Sequence, residues 1–217
     1  MDKIVAAAMA LADREGLAAM TMDRLAASLG VGTMTLYTHV PGKAELVDLM
    51  VDSAWRELDL TRSGPWRDRI EHYAKQNMAL HERHPWLRMV STVRPPLGPG
   101  LLARTDFLLA ALSMTGLSAA EVSAASDSVV TFVDAATATL AEHAHAQRLS
   151  GVSGDDWWAA RQEFWETVFD PARYPAIEQI WHDGGFDRSA AEAAVSAFGL
   201  GLRALLDGIA AMARRDG

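Results

Sequence analysis

The sequence predicts an all-α fold for this chain of 217 residues. Apolar residues recur at intervals of three and four along most of the chain, which is the period of an amphipathic helix. No run shows the sustained alternation of apolar and polar residues that a half-buried strand requires. Glycine, proline and capping residues divide the chain into segments of helical length, as at Ser63-Gly64-Pro65 and Asp183-Gly184-Gly185.

Each predicted helix is bounded by capping or breaking residues. Gly16 ends the first helix, while Thr21 and Thr33 are the expected N-caps of the second and third. The turn 63–65 is the predicted boundary between an N-terminal domain over 1–62 and a C-terminal domain over 63–217. In chain order, the predicted helical segments are 2–15, 22–29, 33–39, one that begins at Lys43, 66–84, 85–93, 101–114, 119–147, 155–169, 174–182 and 188–214.

Composition excludes several classes of protein. Half of the residues are hydrophobic and the formal net charge is −8, which is typical of a soluble globular protein. With no cysteine, the chain has no disulfide framework, thiol nucleophile or thiolate metal site. The first residues lack the basic and apolar regions of a signal peptide, and no uncharged apolar run is long enough to span a bilayer. These features favour a cytoplasmic protein.

The segment 21–43 has the pattern of two short helices around a glycine hinge. Ala26, Gly30 and Leu36 are spaced by four and then six residues. The small side chain permits close approach of the helices, the glycine takes a positive φ, and the leucine anchors the second helix. A unit of this kind places its second helix in the major groove of DNA. The segment therefore indicates a DNA-binding protein rather than an enzyme.

The charge of the N-terminal region leaves a second interpretation open. Residues 1–65 contain nine acidic and six basic residues, a net charge of −3, whereas DNA-binding proteins usually carry an excess of Lys and Arg. The alternative is a helical module that binds a small molecule or a protein and no longer binds DNA. Phosphate contacts from hydroxyls, backbone N–H groups and helix N-termini keep the DNA-binding interpretation in first place.

Two long helices carry an apolar pattern suited to packing between copies of the chain. Apolar residues of helix 188–214 are spaced three and four apart, and helix 119–147 repeats this pattern. Two such helices from each copy would form a four-helix homodimer interface; burial of both within a monomer is the other interpretation. The predicted interface residues are Val129, Val133, Ala136, Leu140, Val195, Phe198, Leu202, Leu205 and Ile209.

The N-terminal residues resemble the tetracycline-repressor (TetR) family of bacterial transcriptional regulators. The resemblance rests on the motifs Thr21-Met22-Asp23-Arg24-Leu25-Ala26, Thr35-Leu36-Tyr37-Thr38-His39-Val40 and Pro41-Gly42-Lys43. The later segments His84-Pro85-Trp86-Leu87 and Leu97-Gly98-Pro99 look like the C-terminal domain of the tetracycline-repressor branch. The resemblance implies a two-fold dimer with DNA-binding heads and a larger helical domain that encloses an effector pocket.

The resemblance also implies roles for individual residues of the head. Thr33, Met34 and Thr35 match positions that read base edges, although the predicted recognition helix has no Arg, Asn or Gln for bidentate readout. The positions that match phosphate or backbone contacts are Thr21, Met22, Arg24, Tyr37, Thr38, His39 and Lys43. Five apolar neighbours are expected to form the core that holds the hinge: Leu25, Leu29, Val31, Leu36 and Val40.

The implied effector pocket lies among the central helices of the C-terminal domain. Residue type and helix face indicate its candidate lining residues, which favour an apolar or aromatic small molecule. They are Tyr73, Asn77, Trp86, Met89, Val90, Leu108, Phe132, Trp158 and Trp165, with Asn77 as the clearest hydrogen-bonding group. Met89 or Val90, and Leu108, stand near the positions of the histidine and glutamine that contact a magnesium–tetracycline chelate in that branch. Tetracycline–magnesium is therefore not the expected ligand.

No enzymatic or metal-binding pattern competes with this interpretation. His81 and His84 lie three residues apart near Glu82, but the spacing fixes no third metal ligand. The sequence has no glycine-rich phosphate loop, nucleophile elbow or His-Glu-x-x-His motif. We therefore expect no enzyme activity, no cofactor and no metal. The leading hypothesis is a ligand-responsive transcriptional regulator, most consistent with a repressor, whose partners are operator DNA, a small-molecule effector and a second copy of the chain.

Overall fold

A computed structural model describes residues 1–91 and 94–214, and within these ranges the chain forms helices and no strands, which confirms the predicted fold class. The helices are α1 (Asp2–Glu15), α2 (Met22–Leu29), α3 (Thr33–Tyr37), α4 (Lys43–Trp55), α5 (Trp66–Arg83), α6 (Pro99–Leu112), α7 (Ala119–Ser150), α8 (Gly154–Ala159), α9 (Gln162–Thr167), α10 (Pro175–His182) and α11 (Ala190–Ala213). Two 3-10 helices, Pro85–Met89 and Ser113–Thr115, complete the set.

Caps set several of these boundaries where the sequence predicts them. The Thr21 hydroxyl accepts a hydrogen bond from the backbone N–H of Arg24 at 3.3 Å and begins α2. Ser118 and Glu121 form a capping box that begins α7, and Ser189 and Glu192 form another at α11. Each box satisfies N–H groups that a helix N-terminus otherwise leaves without a partner.

Several boundaries differ from the prediction. Gly32, not Thr33, is the N-cap of α3, because the Thr33 hydroxyl instead donates a hydrogen bond to Asp23 Oδ1 at 2.8 Å. The segment 155–169 divides into α8 and α9 instead of forming one helical unit. The predicted segment 85–93 is a 3-10 helix over its first five residues, and its last two residues, Thr92 and Val93, lie outside the described ranges.

The C-terminal domain is organised around α7, a helix of 32 residues. It packs against α5, α6 and α11, and against the 3-10 helix Pro85–Met89. Val129 and Val133 are fully buried at these contacts. The ring of Phe132 stacks on Phe198 of α11, with 6.0 Å between ring centroids. Gly201 has no room for a Cβ because the Phe132 ring lies directly against it.

Four of the predicted dimer-interface residues are covered by their own chain. Val129, Val133, Leu202 and Ile209 are buried within the protomer, so their side chains cannot face a second copy. The pattern identified an apolar face correctly, but α7 and α11 use that face to pack against the core of their own chain. The remaining five predicted interface residues are half-buried or exposed: Ala136, Leu140, Val195, Phe198 and Leu205.

Helix α4 is fixed to α6 by a side-chain cap that comes from another helix. The Asp52 carboxylate of α4 accepts hydrogen bonds from the backbone N–H groups of Gly100 at 2.8 Å and Leu101 at 3.3 Å. A Cβ at Gly98 or Gly100 would collide with Asp52, so both glycines are required for this approach. The first turn of α6 therefore depends on α4 for its hydrogen bonds.

A second joint attaches α1 and the end of α4 to α5. His84 is buried, and its two ring nitrogens lie 2.8 Å from Asp13 Oδ1 and 3.1 Å from the Glu57 carboxylate. The indole N–H of Trp86 donates to the same Asp13 oxygen at 2.7 Å. Because the two carboxylates come from the N-terminal region, this cluster joins the head to the C-terminal domain.

Candidate nucleic-acid interface and ligand clefts

The exposed face of the head is built on α2, α3 and the turn between them. Gly30 adopts a left-handed conformation with φ 68° and ψ 29°, which reverses the chain after α2. Leu36 and Val40 are buried and hold α3 against the core of the head. Leu25 is buried with them and Leu29 is partly buried, as predicted, whereas Val31 is 40 % exposed because it lies in the turn itself.

The predicted base-reading residues share one exposed surface. Met34 is 79 % exposed and Thr35 is exposed beside it on α3. Thr33 is only half-buried, but its hydroxyl is used by Asp23 and is not free to bind a base. Tyr37, Thr38 and His39 are exposed at the end of the same helix. The surface therefore offers a thioether, an aromatic ring and hydroxyl groups.

Three side chains that are predicted to contact the DNA backbone already have contacts within the protein: those of Met22, Arg24 and Lys43. The side chain of Met22 is buried in the core of the head, so only its main chain can reach a partner. Arg24 forms an ion pair with Glu15 and donates to the Ala19 carbonyl at 3.2 Å. Lys43 Nζ donates to the Leu17 carbonyl at 2.9 Å. Both basic residues must exchange these bonds for a phosphate, which reduces what each contact contributes.

Two clefts open on α7 in the C-terminal domain. Cleft A, of about 550 Å³, lies between α5, α7, α8 and α11, and Trp157 and Trp158 form part of its wall. Cleft B, of about 430 Å³, lies between α5, α7, the 3-10 helix Pro85–Met89 and α4, which contributes Val51 and Trp55. Both volumes are in the range of small-molecule sites. Cleft B is notable because α4, the helix that follows the α2–α3 unit in the chain, forms one of its walls.

Five of the candidate pocket residues lie at a cleft or near the surface, and the other four are buried in the core. Trp158 lines cleft A and Val90 lines cleft B. Phe132 and Trp158 also face a shallower groove over α7 and α11. Met89 is 67 % exposed beside α7, and Trp165 is half-buried among the aromatic residues of α8 to α10. The other four candidates are fully buried core residues that line neither cleft: Tyr73, Asn77, Trp86 and Leu108.

Asn77, the predicted hydrogen-bonding group of the pocket, makes its hydrogen bonds inside the protein. Its amide group donates to Asp134 Oδ1 at 2.9 Å and to the Tyr73 hydroxyl at 3.2 Å. Its carbonyl oxygen accepts a bond from the Thr137 hydroxyl at 3.2 Å. A buried amide with these partners stabilises the contact between α5 and α7. The sequence alone does not indicate this pairing, because Asp134 lies 57 residues from Asn77 along the chain.

This polar network continues to a buried guanidinium. Arg104 of α6 is 4 % exposed, donates to Asp134 Oδ2 at 3.2 Å, and lies over the ring of Trp55 at 4.3 Å from its centroid. Burial alone lowers the pKa of Arg104, but Tyr73 and Asp134 outweigh burial and raise it, so the residue stays charged. Burial also raises the pKa of Tyr73 well above its usual range and keeps its hydroxyl protonated. Arg104 therefore links α4, α5, α6 and α7.

His81 also lines the clefts, a position that its residue type and spacing do not predict. It forms part of the wall of both cleft A and cleft B. Burial lowers its pKa below 6.5, and Arg104 and His84 lower it further, while Asp134 acts in the opposite direction. The imidazole is therefore neutral at pH 7. No group of three or more potential metal ligands occurs within the described ranges.

Comparison with known proteins identifies relatives of both parts of the chain. Residues 4–50 match the family model "Bacterial regulatory proteins, tetR family", and residues 60–213 match "Tetracyclin repressor-like, C-terminal domain". The HTH-type transcriptional repressor DrrR1 of Streptomyces coeruleorubidus is 35 % identical over 215 residues, which cover 96 % of this chain and 76 % of that protein.

Two further relatives extend the comparison. An HTH-type transcriptional regulator of Saccharopolyspora erythraea is 36 % identical over 183 residues, which cover 73 % of this chain and 78 % of that protein. Among solved structures, the TetR family protein ActR of Streptomyces coelicolor in complex with actinorhodin superposes with a TM-score of 0.80 at 26 % identity. That superposition covers 98 % of this chain and 97 % of ActR.

Removing the charge of Asp134 is expected to destabilise the protein strongly. The Asp134→Asn variant leaves Arg104 buried without a counter-charge, so the free energy of unfolding should fall by about 3 kcal/mol or more. Urea denaturation measures this change. Asp106→Asn is the matched control, because it removes the exposed partner of Arg62 and should cost less than about 1 kcal/mol. Equal effects of the two substitutions would contradict the assigned role of the buried pair.

Proposed function

The chain belongs to the tetR family of bacterial regulatory proteins and is a ligand-responsive DNA-binding repressor; we propose that it binds its operator as a homodimer and releases it when a small aromatic molecule occupies its clefts. The observation that carries this proposal is the position of α4. It follows the α2–α3 unit in the chain, and it also forms a wall of cleft B. One helix therefore connects the DNA-binding surface to the ligand-binding region.

Operator recognition is assigned to the exposed face of α3. Met34, Thr35 and Tyr37 enter the major groove, where methyl and thioether groups suit the thymine methyl and hydroxyls suit base edges. Thr38 and His39 contact the phosphate backbone together with backbone N–H groups at the start of α2 and α4. Because Arg24 and Lys43 already have partners in the protein, base contacts and DNA shape contribute a larger share of the affinity for the operator.

The ligand is assigned to an aromatic class. Trp157 and Trp158 line cleft A, and Trp55 lines cleft B. ActR, which has the same fold over nearly its whole length, binds actinorhodin, and DrrR1 is a repressor. These comparisons support a repressor that responds to a small molecule. Ligand binding shifts the protein away from the DNA-bound state only to the extent that the ligand prefers the other state.

Dimerisation is assigned to the uncovered faces of α7 and α11. Apolar side chains of α11 remain open to solvent in the single chain, with Val195 57 % and Leu200 63 % exposed. This helix is long and apolar enough to cross a membrane by length and composition, which is weak evidence for a span. Two charged residues, Arg203 and Asp207, lie within the helix and argue against a span, and Asp207 pairs with Arg67. We therefore assign the helix to an interface instead. The site of action is the cytoplasm, where operator DNA lies, and the protein has no enzymatic role.

The DNA-binding role is tested by the Met34→Ala/Tyr37→Ala double variant. An operator is first selected from random DNA with the wild-type protein. Each lost contact is worth on the order of 1 kcal/mol, so the dissociation constant for this operator should rise about tenfold or more. Fluorescence anisotropy measures the change. Both residues are exposed, so the fold should be unaffected.

Leu97→Ala is the control for the DNA-binding variant. Leu97 is a large apolar residue with 93 % exposure that lies outside the head, so its substitution should leave operator affinity unchanged. The assignment of α3 is refuted if the double variant binds like the wild type, or if no operator can be selected at low salt.

The dimer interface is tested by Leu200→Glu. A charge placed at this exposed position of α11 would be buried without a partner between two copies, so the dimer should dissociate at micromolar concentration. Analytical ultracentrifugation measures the mass. Leu102→Glu is a matched control, because Leu102 is 69 % exposed on α6. A Leu200→Glu protein that remains dimeric would show that α11 does not form the interface.

A further inference from the structure

His81 occupies a position that its role in the fold does not explain. It lies on α5, is only 9 % exposed, and contributes to the walls of both clefts. Its Nδ1 atom is buried and has no hydrogen-bond partner. The polar side chains near it behave differently, since Asn77, Thr137 and Arg104 are all hydrogen-bonded within the protein.

An unpartnered buried nitrogen costs stability, because the atom loses its bond to water and gains nothing in return. An apolar residue of similar size at position 81 would avoid that cost. Buried polar groups that lack a partner in a folded protein therefore point to a partner that the free protein does not contain. The clefts on either side of His81 leave space for such a partner.

The surroundings of His81 restrict the chemistry of that partner. The imidazole is neutral, and two charges that act on it, those of Asp134 and Arg104, are paired with each other. A charged ligand group would have no counter-charge from this pair. A neutral imidazole nitrogen either donates or accepts a hydrogen bond, depending on its tautomer. A hydroxyl group can both donate and accept, so it satisfies Nδ1 in either case.

We propose that His81 is the residue that determines ligand specificity, by hydrogen-bonding a hydroxyl group of an uncharged aromatic molecule that lies between clefts A and B. The inference rests on the proposed ligand-binding function and adds the polar anchor to it. The aromatic part of the ligand packs against Trp157 and Trp158 on one side or Trp55 on the other. A ligand without the hydroxyl leaves Nδ1 unpaired and binds less tightly, which is how a buried polar group rejects a close analogue.

The test compares 2-naphthol with naphthalene as probes, using calorimetric titration of the full-length protein. The wild type should prefer 2-naphthol by about tenfold, the ratio expected for one buried hydrogen bond. In His81→Leu this preference should disappear while naphthalene still binds, and in His81→Gln part of it should remain. His182→Leu is the matched control, since His182 is an exposed histidine of α10 that lines neither cleft and should not change the ratio.

A second measurement separates a ligand-binding role from a structural one. Because Nδ1 has no partner in the free protein, His81→Leu should melt at the same temperature as the wild type or higher. A fall in melting temperature would show that His81 is needed by the fold, and would overturn the proposal. An unchanged probe ratio in His81→Leu, or no binding of either probe to the wild type, would also overturn it. Binding of the selected operator by the wild type tests the proposed repressor function independently of these outcomes.

Discussion

The buried Arg104 guanidinium is the constraint on which the arrangement of the C-terminal domain depends. A charge in the protein interior must keep its partners, because leaving it unpaired is far more costly than losing an exposed ion pair. Its partners come from three other helices: Trp55 of α4, Tyr73 of α5 and Asp134 of α7. These helices cannot shift independently of one another without weakening that set of contacts. The charge of Arg104 thus fixes the position of α4 relative to α5 and α7, which form other walls of cleft B.

Two further joints give the same result at the C-terminal end of α4. Asp52 caps α6, and Glu57 approaches His84 beside Asp13 of α1. The head is therefore attached through directional polar contacts, which have a preferred geometry and do not deform gradually. A ligand in cleft B touches Val51 and Trp55, which are close to these joints in the chain. This explains how a molecule in the C-terminal domain can alter the orientation of the head without touching DNA.

Local sequence signals were sufficient for the fold and insufficient for the sites. Thr21, Ser118 and the hinge at Gly30 behave as their residue types predict, because caps and positive φ angles depend on neighbours in the chain. The burial of Val129 could not be predicted, since α7 has apolar residues on more than one face and periodicity does not say which face meets the core.

Long-range partners explain the other errors. Asn77 looked available for a ligand because Asp134 and Thr137 are distant in the chain. In the sequence, His81 stands out only as one of a pair of histidines with His84. Its position beside two clefts depends on how α5 packs against α7. Residue type can suggest that a side chain is functional, but only the packing of helices decides whether its polar atoms are already satisfied.

The most direct test of the link between the clefts and the head is the operator affinity of an Ala138→Trp variant. Ala138 lies in the wall of cleft B, whose volume of about 430 Å³ can hold the added indole against α4. The variant should remain a folded dimer and bind the selected operator at least about tenfold more weakly than the wild type, as the ligand-bound protein does. A folded dimer with wild-type operator affinity would contradict the account.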